Sequence, residues 1–302
     1  MGAIKRILLI SLVALLIWGS YVAYAVLTLH PTFSVKWGHV DENITELEIS
    51  GNLGKPLLVP LSLKDASLSL NGIGVAAIKD FKYSAVRNRA SAVVAINNKN
   101  LIGAFIAYMN NGEKGKAVLH VRGRLLGLIP LNYNLSESIN DDVLGGFNFT
   151  AESRPITVGG LEVGQTPAIL ETKTDWGGTE GSYAVLIGHV RLYNPNRMPI
   201  PVNNISYTIK VDGIRVGKGG IIKGAVVPAG GYATVDVRIM IDTSMLPKVW
   251  VAHVKAGEES TVSATVYLDM NLLGRNYRIP VETTNTTVKT NFLGTLRKLL
   301  NG

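Results

Sequence analysis

Ile205-Ser-Tyr-Thr-Ile-Lys-Val-Asp-Gly-Ile-Arg-Val216 decides the fold. Ile205, Tyr207, Ile209 and Val211 alternate with Ser206, Thr208 and Lys210, the period of two that a half-buried strand requires. Asp212-Gly213 follows at once, and Ile214 and Val216 resume the apolar face. A two-residue connection of this kind predicts a type I′ hairpin, because both central residues need positive φ. Two more alternating strands lie downstream, one through Ala233, Val235, Val237, Ile239 and Ile241. The other runs through Ala264, Val266, Leu268, Met270 and Leu272. Between them, Leu246 to Val254 carries apolar residues at helical spacing, with Pro247 in the first turn and Gly257 as a left-handed stop.

The same order of signals occurs earlier in the chain. Asn71-Gly72 stands 141 positions before Asp212-Gly213, and Pro60 pairs with Pro201 at that offset. Ala66, Leu68 and Leu70 fall on Tyr207, Ile209 and Val211. Leu101, Phe105, Met109 and Gly112 fall on Leu246, Trp250, Val254 and Gly257, now at 145. Leu125-Leu126-Gly127 matches Leu272-Leu273-Gly274 at 147, and Pro31 to Trp37 matches Pro167 to Trp176 in kind. A drifting offset with preserved order is the mark of two copies separated by loop insertions. The expected fold class is therefore all-β: two tandem fibronectin type III-like β-sandwiches, each with one inserted helix.

Val190-Arg-Leu-Tyr-Asn-Pro-Asn-Arg-Met-Pro-Ile-Pro-Val202, followed by Ile205 to Gly213 and Val216-Gly-Lys-Gly219, resembles the late-embryogenesis-abundant group 2 domain. That module is also called the water stress and hypersensitive response (WHy) domain. Asn194, Pro195 and Asn196 match its Asn-Pro-Asn step, and Asp212-Gly213 its turn. The resemblance covers residues 160 to 290; the first copy has Asn52-Leu-Gly-Lys-Pro56 at the corresponding place. Tandem copies behind one N-terminal helix are similar to archaeal members of the family. The resemblance implies a fibronectin type III-like fold and a non-enzymatic role in desiccation or water stress. A cell-envelope assembly or adhesion module is the alternative, followed by a carrier of an apolar ligand or lipid.

Compartment is read from the N-terminus. Lys5 and Arg6 precede an uncharged run from Ile7 to Leu29, whose 23 residues would span about 34 Å as a helix, enough for a hydrocarbon core of about 30 Å. The positive-inside rule puts the N-terminus in the cytoplasm and the remainder outside. A cleaved signal peptide ending at Ala23-Tyr24-Ala25 is the alternative. The expected organisation is an anchor at 1–30, a first domain at 31–150 and a second at 151–302, capped by a C-terminal helix over Thr290 to Leu300. Expected partners are a lipid bilayer contacting residues 7–29 and envelope proteins or stressed client proteins, with no nucleic acid.

Composition excludes several chemistries. The 302 residues contain no cysteine, which removes disulfides, thiolate metal sites and a cysteine nucleophile. A hydrophobic content of 47% against 17% charged residues excludes intrinsic disorder. His30, His39, His120, His189 and His253 are too scattered to cluster as metal ligands, and each reads as a surface or boundary residue. Asp141-Asp142 and Glu258-Glu259 are adjacent carboxylates that face opposite ways on an extended chain. Gly213 to Gly219 lacks the spacing of a phosphate loop and reads as a strand end. No catalytic residue, cofactor or metal is expected. The Asn-Pro-Asn step is read as structural, since Pro195 forces Asn194 into an extended conformation and asparagine amides satisfy turn backbone.

Overall fold

The computed structural model describes the backbone of residues 3–28, 30–56, 58–146, 150–158, 160–202, 205–222, 224–272 and 275–301. Helix α1 (Ala3–Leu27) leads into strands β1 (Thr32–Val40), β2 (Ile44–Asn52), β3 (Leu61–Leu70), β4 (Ile73–Ser84) and β5 (Arg89–Asn97). Helix α2 (Asn98–Asn110), β6 (Gly115–Leu125) and β7 (Ile129–Ile139) complete the first copy. A small hairpin, β8 (Pro155–Val158) and β9 (Leu161–Gln165), opens the second. It continues with β10 (Ala168–Glu180), β11 (Tyr183–Tyr193), β12 (Ile200–Val202), β13 (Ile205–Val211), β14 (Ile214–Ile221), β15 (Ala225–Val227) and β16 (Tyr232–Asp242). Then come α3 (Leu246–Lys255), β17 (Glu259–Leu272), β18 (Arg275–Lys289) and α4 (Phe292–Asn301).

The two copies have one topology. The first sheet runs β1-β2-β5-β4-β3-β6-β7 and the second β10-β11-β16-β14-β13-β17-β18, the same order once strands are matched. Three hairpin-linked strands lie between a neighbour from before them and one from after, a Greek-key arrangement. The helix makes the second crossover in each case. Hydrogen bonds run through each copy as one curled, seven-stranded antiparallel ladder. Each copy is thus a curled, β-sandwich-like antiparallel fold, and the ladders do not by themselves show the fibronectin type III-like arrangement expected from the sequence. Strand periodicity marks individual strands but not the order in which they pair.

Local details repeat as well. Trp37 pairs with Leu47 and Trp176 with Leu186, and a register shift follows each tryptophan. The β3–β4 ladder slips after Leu68 and the β13–β14 ladder after Ile209, 141 positions apart. Asn71-Gly72 and Asp212-Gly213 have φ values of 51 and 78°, then 50 and 78°, as a type I′ turn demands. At the helix stops, Gly112 donates to Met109 O and Glu113 to Tyr108 O, while Gly257 donates to Val254 O and Glu258 to His253 O. Those paired bonds make a Schellman motif. Leu273-Gly274, the last matched pair in sequence, lies outside the described residues.

Contacts divide the chain into two units, one of Met1–Asn100, Ala117–Glu137 and Asn291–Gly302 and another of Leu101–Lys116 and Ser138–Thr290. The C-terminal helix was expected to cap the second copy; α4 instead belongs to the first unit and lies on β1. Phe292 stacks on Trp37 with ring centroids 5.4 Å apart. The Asn301 carboxamide accepts from Phe33 N at 2.6 Å and donates to Phe33 O at 3.0 Å. One side chain thus makes both bonds that a further strand residue would make to the sheet edge. In the second unit the core forms around Val190, Leu192, Val202, Val227 and Val235, all buried, each stabilising by about 1.5–3 kcal/mol.

On the described residues alone, no helix is long and apolar enough to cross a membrane; the side chains of residues 3–10 lie outside them. Ending the chain after Thr290 should uncover β1, because an unpaired edge is a template for association. Light scattering is expected to show concentration-dependent aggregation of that truncated protein, and Asn301→Ala alone should give a weaker form of it.

Candidate functional site

Asn194 is completely buried at the end of β11. Its Nδ2 donates to Met198 O at 2.8 Å and to Val227 O and Pro228 O at 3.1 Å. Its Oδ1 accepts from Asn196 N at 2.9 Å and Asn196 Nδ2 at 2.8 Å. Asn196 reaches on to β9, accepting from Gln165 N and donating to Gln165 O. Pro195 holds Asn194 extended so that its amide turns inward. The step is a clamp that ties the loop after β11 to the loop before β16 and to β9, above the valine core. Both asparagine side chains are thus engaged in internal hydrogen bonds. In the first copy Leu53 N donates to Asn88 O as Asn194 N donates to Gly231 O, and the buried Leu53 side chain takes the place of the amide.

Asp212 and Gly213 form the tip of the β13–β14 hairpin. Asp212 Oδ1 accepts from Thr261 N at 2.7 Å, fixing the tip to β17. The glycine segment beyond it is strand β14, and the reason for its glycines is steric. A Cβ on Gly219 would meet Arg238 O and the Tyr207 hydroxyl at about 2 Å or less. Tyr207 crosses Gly219 and donates to Arg238 O, and burial pushes its hydroxyl pKa upward. At the corresponding positions, 141 earlier, the first copy has Ala66 and Ile78, the inverse division of volume.

Around this segment lies a cleft of about 510 Å³ lined by Ser206, Arg215, Lys218, Arg238 and Met240. Arg238 pairs with Glu180, and Lys218 sits 5.2 Å from the Tyr183 ring centroid. The cleft offers positive charge and hydrogen-bond donors, suited to holding an anion.

Two histidines have partners that the sequence did not reveal. His189 lies between Asp236 (2.6 Å) and Asp175 (3.0 Å) on neighbouring strands. Hydrogen bonds to Asp236, then to Asp175, hold its pKa above the ordinary value of 6.5. His253, expected at the surface or its boundary, is buried at the end of α3 between Ser260 Oγ (2.8 Å) and Thr290 Oγ1 (2.9 Å). Thr290 in turn donates to the buried Glu258 at 3.2 Å. This chain of bonds has the residue types of a nucleophilic relay, but Ser260 is buried and out of reach of substrate. Among the described residues, no three histidine or acidic side chains form a metal-holding group. A cross-strand register signal would have been needed to find His189, since its partners are 14 and 47 positions away.

Asn194→Ala should lower unfolding stability by about 3 kcal/mol, because it leaves several buried groups unsatisfied; the urea midpoint should fall with an unchanged slope. For His189, the raised folded-state pKa means its stabilisation is complete below the unfolded value of 6.5. That stabilisation is lost as pH rises through the folded value. The thermal midpoint of His189→Gln, compared with the parent protein, should therefore be depressed more at about pH 5.5 than at about pH 9.

Comparison with known proteins places one part of the chain. No curated protein matches. A crystal structure of a protein from Archaeoglobus fulgidus is 21% identical, over 41% of this chain and 98% of its own, with a TM-score of 0.34. A solution structure from Arabidopsis thaliana is 19% identical, over 45% of this chain and 89% of its own, at 0.30. A glycoside hydrolase family 2 beta-glucuronidase is 9% identical over 82% of this chain but only 24% of its own, at 0.23. None of the three scores is high enough to support an argument. Residues 189–285, from His189 in β11 into β18, match the model of the late embryogenesis abundant protein family.

Proposed function

We propose that the chain is a non-enzymatic protein of the late-embryogenesis-abundant, water-stress type, held in a membrane by α1 with both repeats on the outer side. It acts by binding or protecting proteins or envelope surfaces. The observation that carries this reading is the family match over 189–285, whose span contains the Asn194-Pro195-Asn196 clamp and the Asp212-Gly213 hairpin. A finer placement, among tandem archaeal members carrying the WHy module, is supported by that step together with the doubled topology.

Membrane attachment is supported by α1. Its 25 residues extend about 37 Å, and Leu12, Leu15, Leu16 and Ile17 are each more than half exposed. A helix with uncovered leucines and isoleucine needs an apolar surrounding. Lys5 and Arg6 on the N-terminal side favour an inside N-terminus.

Three measurements test the proposal. Alkaline carbonate should leave the full chain in the membrane pellet, and protease added to intact cells should degrade the repeats while sparing cytoplasmic markers. Vesicles carrying the full chain should preserve a labile enzyme through drying better than vesicles carrying an equal mass of an inert membrane protein. Equal protection would count against the stress role, and repeats that survive protease until lysis would place them inside.

A further inference from the structure

We infer that three loop tips of the first unit form a lipid-inserting foot, which rests on the reading of α1 as a membrane span. The chain after β2 descends alongside α1. Lys55 Nζ donates to Thr28 Oγ1 at 2.9 Å and Tyr24 OH at 3.1 Å, Tyr21 OH donates to Pro56 O at 2.7 Å, and Trp18 Nε1 donates to Leu58 O at 3.2 Å. From Thr28 to Trp18 is about 15 Å along a helix axis. A leaflet that surrounds α1 down to Trp18 therefore also surrounds Leu58.

Two further tips are bonded to this one. Leu58 N donates to Ala85 O, and Leu126 N to Pro60 O. The residues they present are apolar: Val86 is 74% exposed, Leu128 85% and Ile129 50%, beside a Leu58 that is 42% exposed. Leu58 and Leu126 have φ values of 52 and 55°, a conformation uncommon for a bulky residue. Four apolar side chains at joined loop tips are costly in water and favourable in a bilayer interface.

Charge points to the same partner. Residues 53–60, 85–89 and 124–130 contain Lys55, Arg87, Arg89 and Arg124 and not one aspartate or glutamate. Basic side chains around an apolar tip can reach lipid phosphates while their stems stay in the interface. The second copy serves as an internal comparison. Where the first has Leu126-Gly-Leu-Ile-Pro130, the second has Leu273-Gly-Arg-Asn-Tyr277. The apolar hairpin belongs to the copy attached to α1. Its occupant is the outer leaflet of the bilayer that holds α1, enriched in anionic lipid.

The absence of cysteine allows a direct test. Leu128→Cys, Val86→Cys and, as a control in the second unit, Ile222→Cys would each carry one environment-sensitive fluorophore on the full chain, reconstituted into phosphatidylglycerol–phosphatidylcholine vesicles. All three positions are exposed, so labelling should leave folding intact, and circular dichroism checks this. Fluorophores at 128 and 86 should shift to the blue and lose most of their emission to brominated lipid, with no change at 222. Arg87→Gln with Arg124→Gln, or vesicles of phosphatidylcholine alone, should reduce the quenching. Unquenched fluorophores at 128 and 86 overturn the foot, including the case in which a protein partner covers these tips. Carbonate extraction separates the two readings. Protein that sediments without quenching keeps α1 and loses the foot; protein that is released yet quenched at neutral pH keeps the foot and loses the span.

Discussion

Each seven-stranded antiparallel sheet must bury one face, and curling lets it do so, with the β12–β15 pair adding Val202 and Val227 to the core of the second. The extra residue in β4 and β14 supplies part of that curl. Between Leu68–Ala76 and Ser69–Gly74 the ladder skips Val75; between Ile209–Gly217 and Lys210–Arg215 it skips Val216. A bulge bends its strand and increases the local twist. Both skipped valines are almost wholly buried. The residue that breaks the register is also a residue that fills the space the bend creates, and strand order, helix position and core all presuppose it.

On that shared frame the polar groups have diverged. Glu113 accepts from Val143 N and Leu144 N at 2.7 and 2.8 Å, starting the short turn after β7. Its counterpart Glu258 accepts from Thr290 and belongs to the buried His253 network. In both copies a glutamate one residue past the glycine stop of a helix secures the chain as it leaves the last strand. Elsewhere the copies exchange amide for leucine, at Asn194 and Leu53, and exchange large and small residues at the positions of Tyr207 and Gly219, where the first copy has Ala66 and Ile78. Such swaps keep volume and hydrogen bonding in balance while changing what each surface presents.

Local features were legible because their causes are local. Alternation marked β13, β16 and β17; Asn71-Gly72 and Asp212-Gly213 required positive φ; Pro247 and Gly257 bounded α3. The doubled order of these signals gave the repeat before any topology was known. What stayed hidden depends on register and on distant partners. The spacing of Phe292, Leu293 and Leu296 says that α4 buries a face, not that β1 receives it. The two aspartates beside His189 come from different strands, and only the pairing of β11 with β10 and β16 brings them together. His253 read as a surface or boundary residue because a histidine among lysine and valine gives no sign of full burial. The Asn-Pro-Asn step and the Asp212-Gly213 turn are local motifs that also carry long-range structure, through Gln165 and Thr261 respectively.

Closing β1 with Asn301 has a consequence for synthesis. Residue 40 ends the strand, and its cover is 261 positions further on. At about 5–20 residues per second, roughly 15–50 s pass before that asparagine is made. Throughout that interval the nascent first unit displays an open edge, while an entire copy with a matching strand order is translated behind it. A β10 emerging beside an uncovered β1 could add to the wrong sheet. Differences between the copies, such as Leu53 against Asn194 and Ala66 and Ile78 against Tyr207 and Gly219, give each strand neighbours of its own to match while the protein is still incomplete.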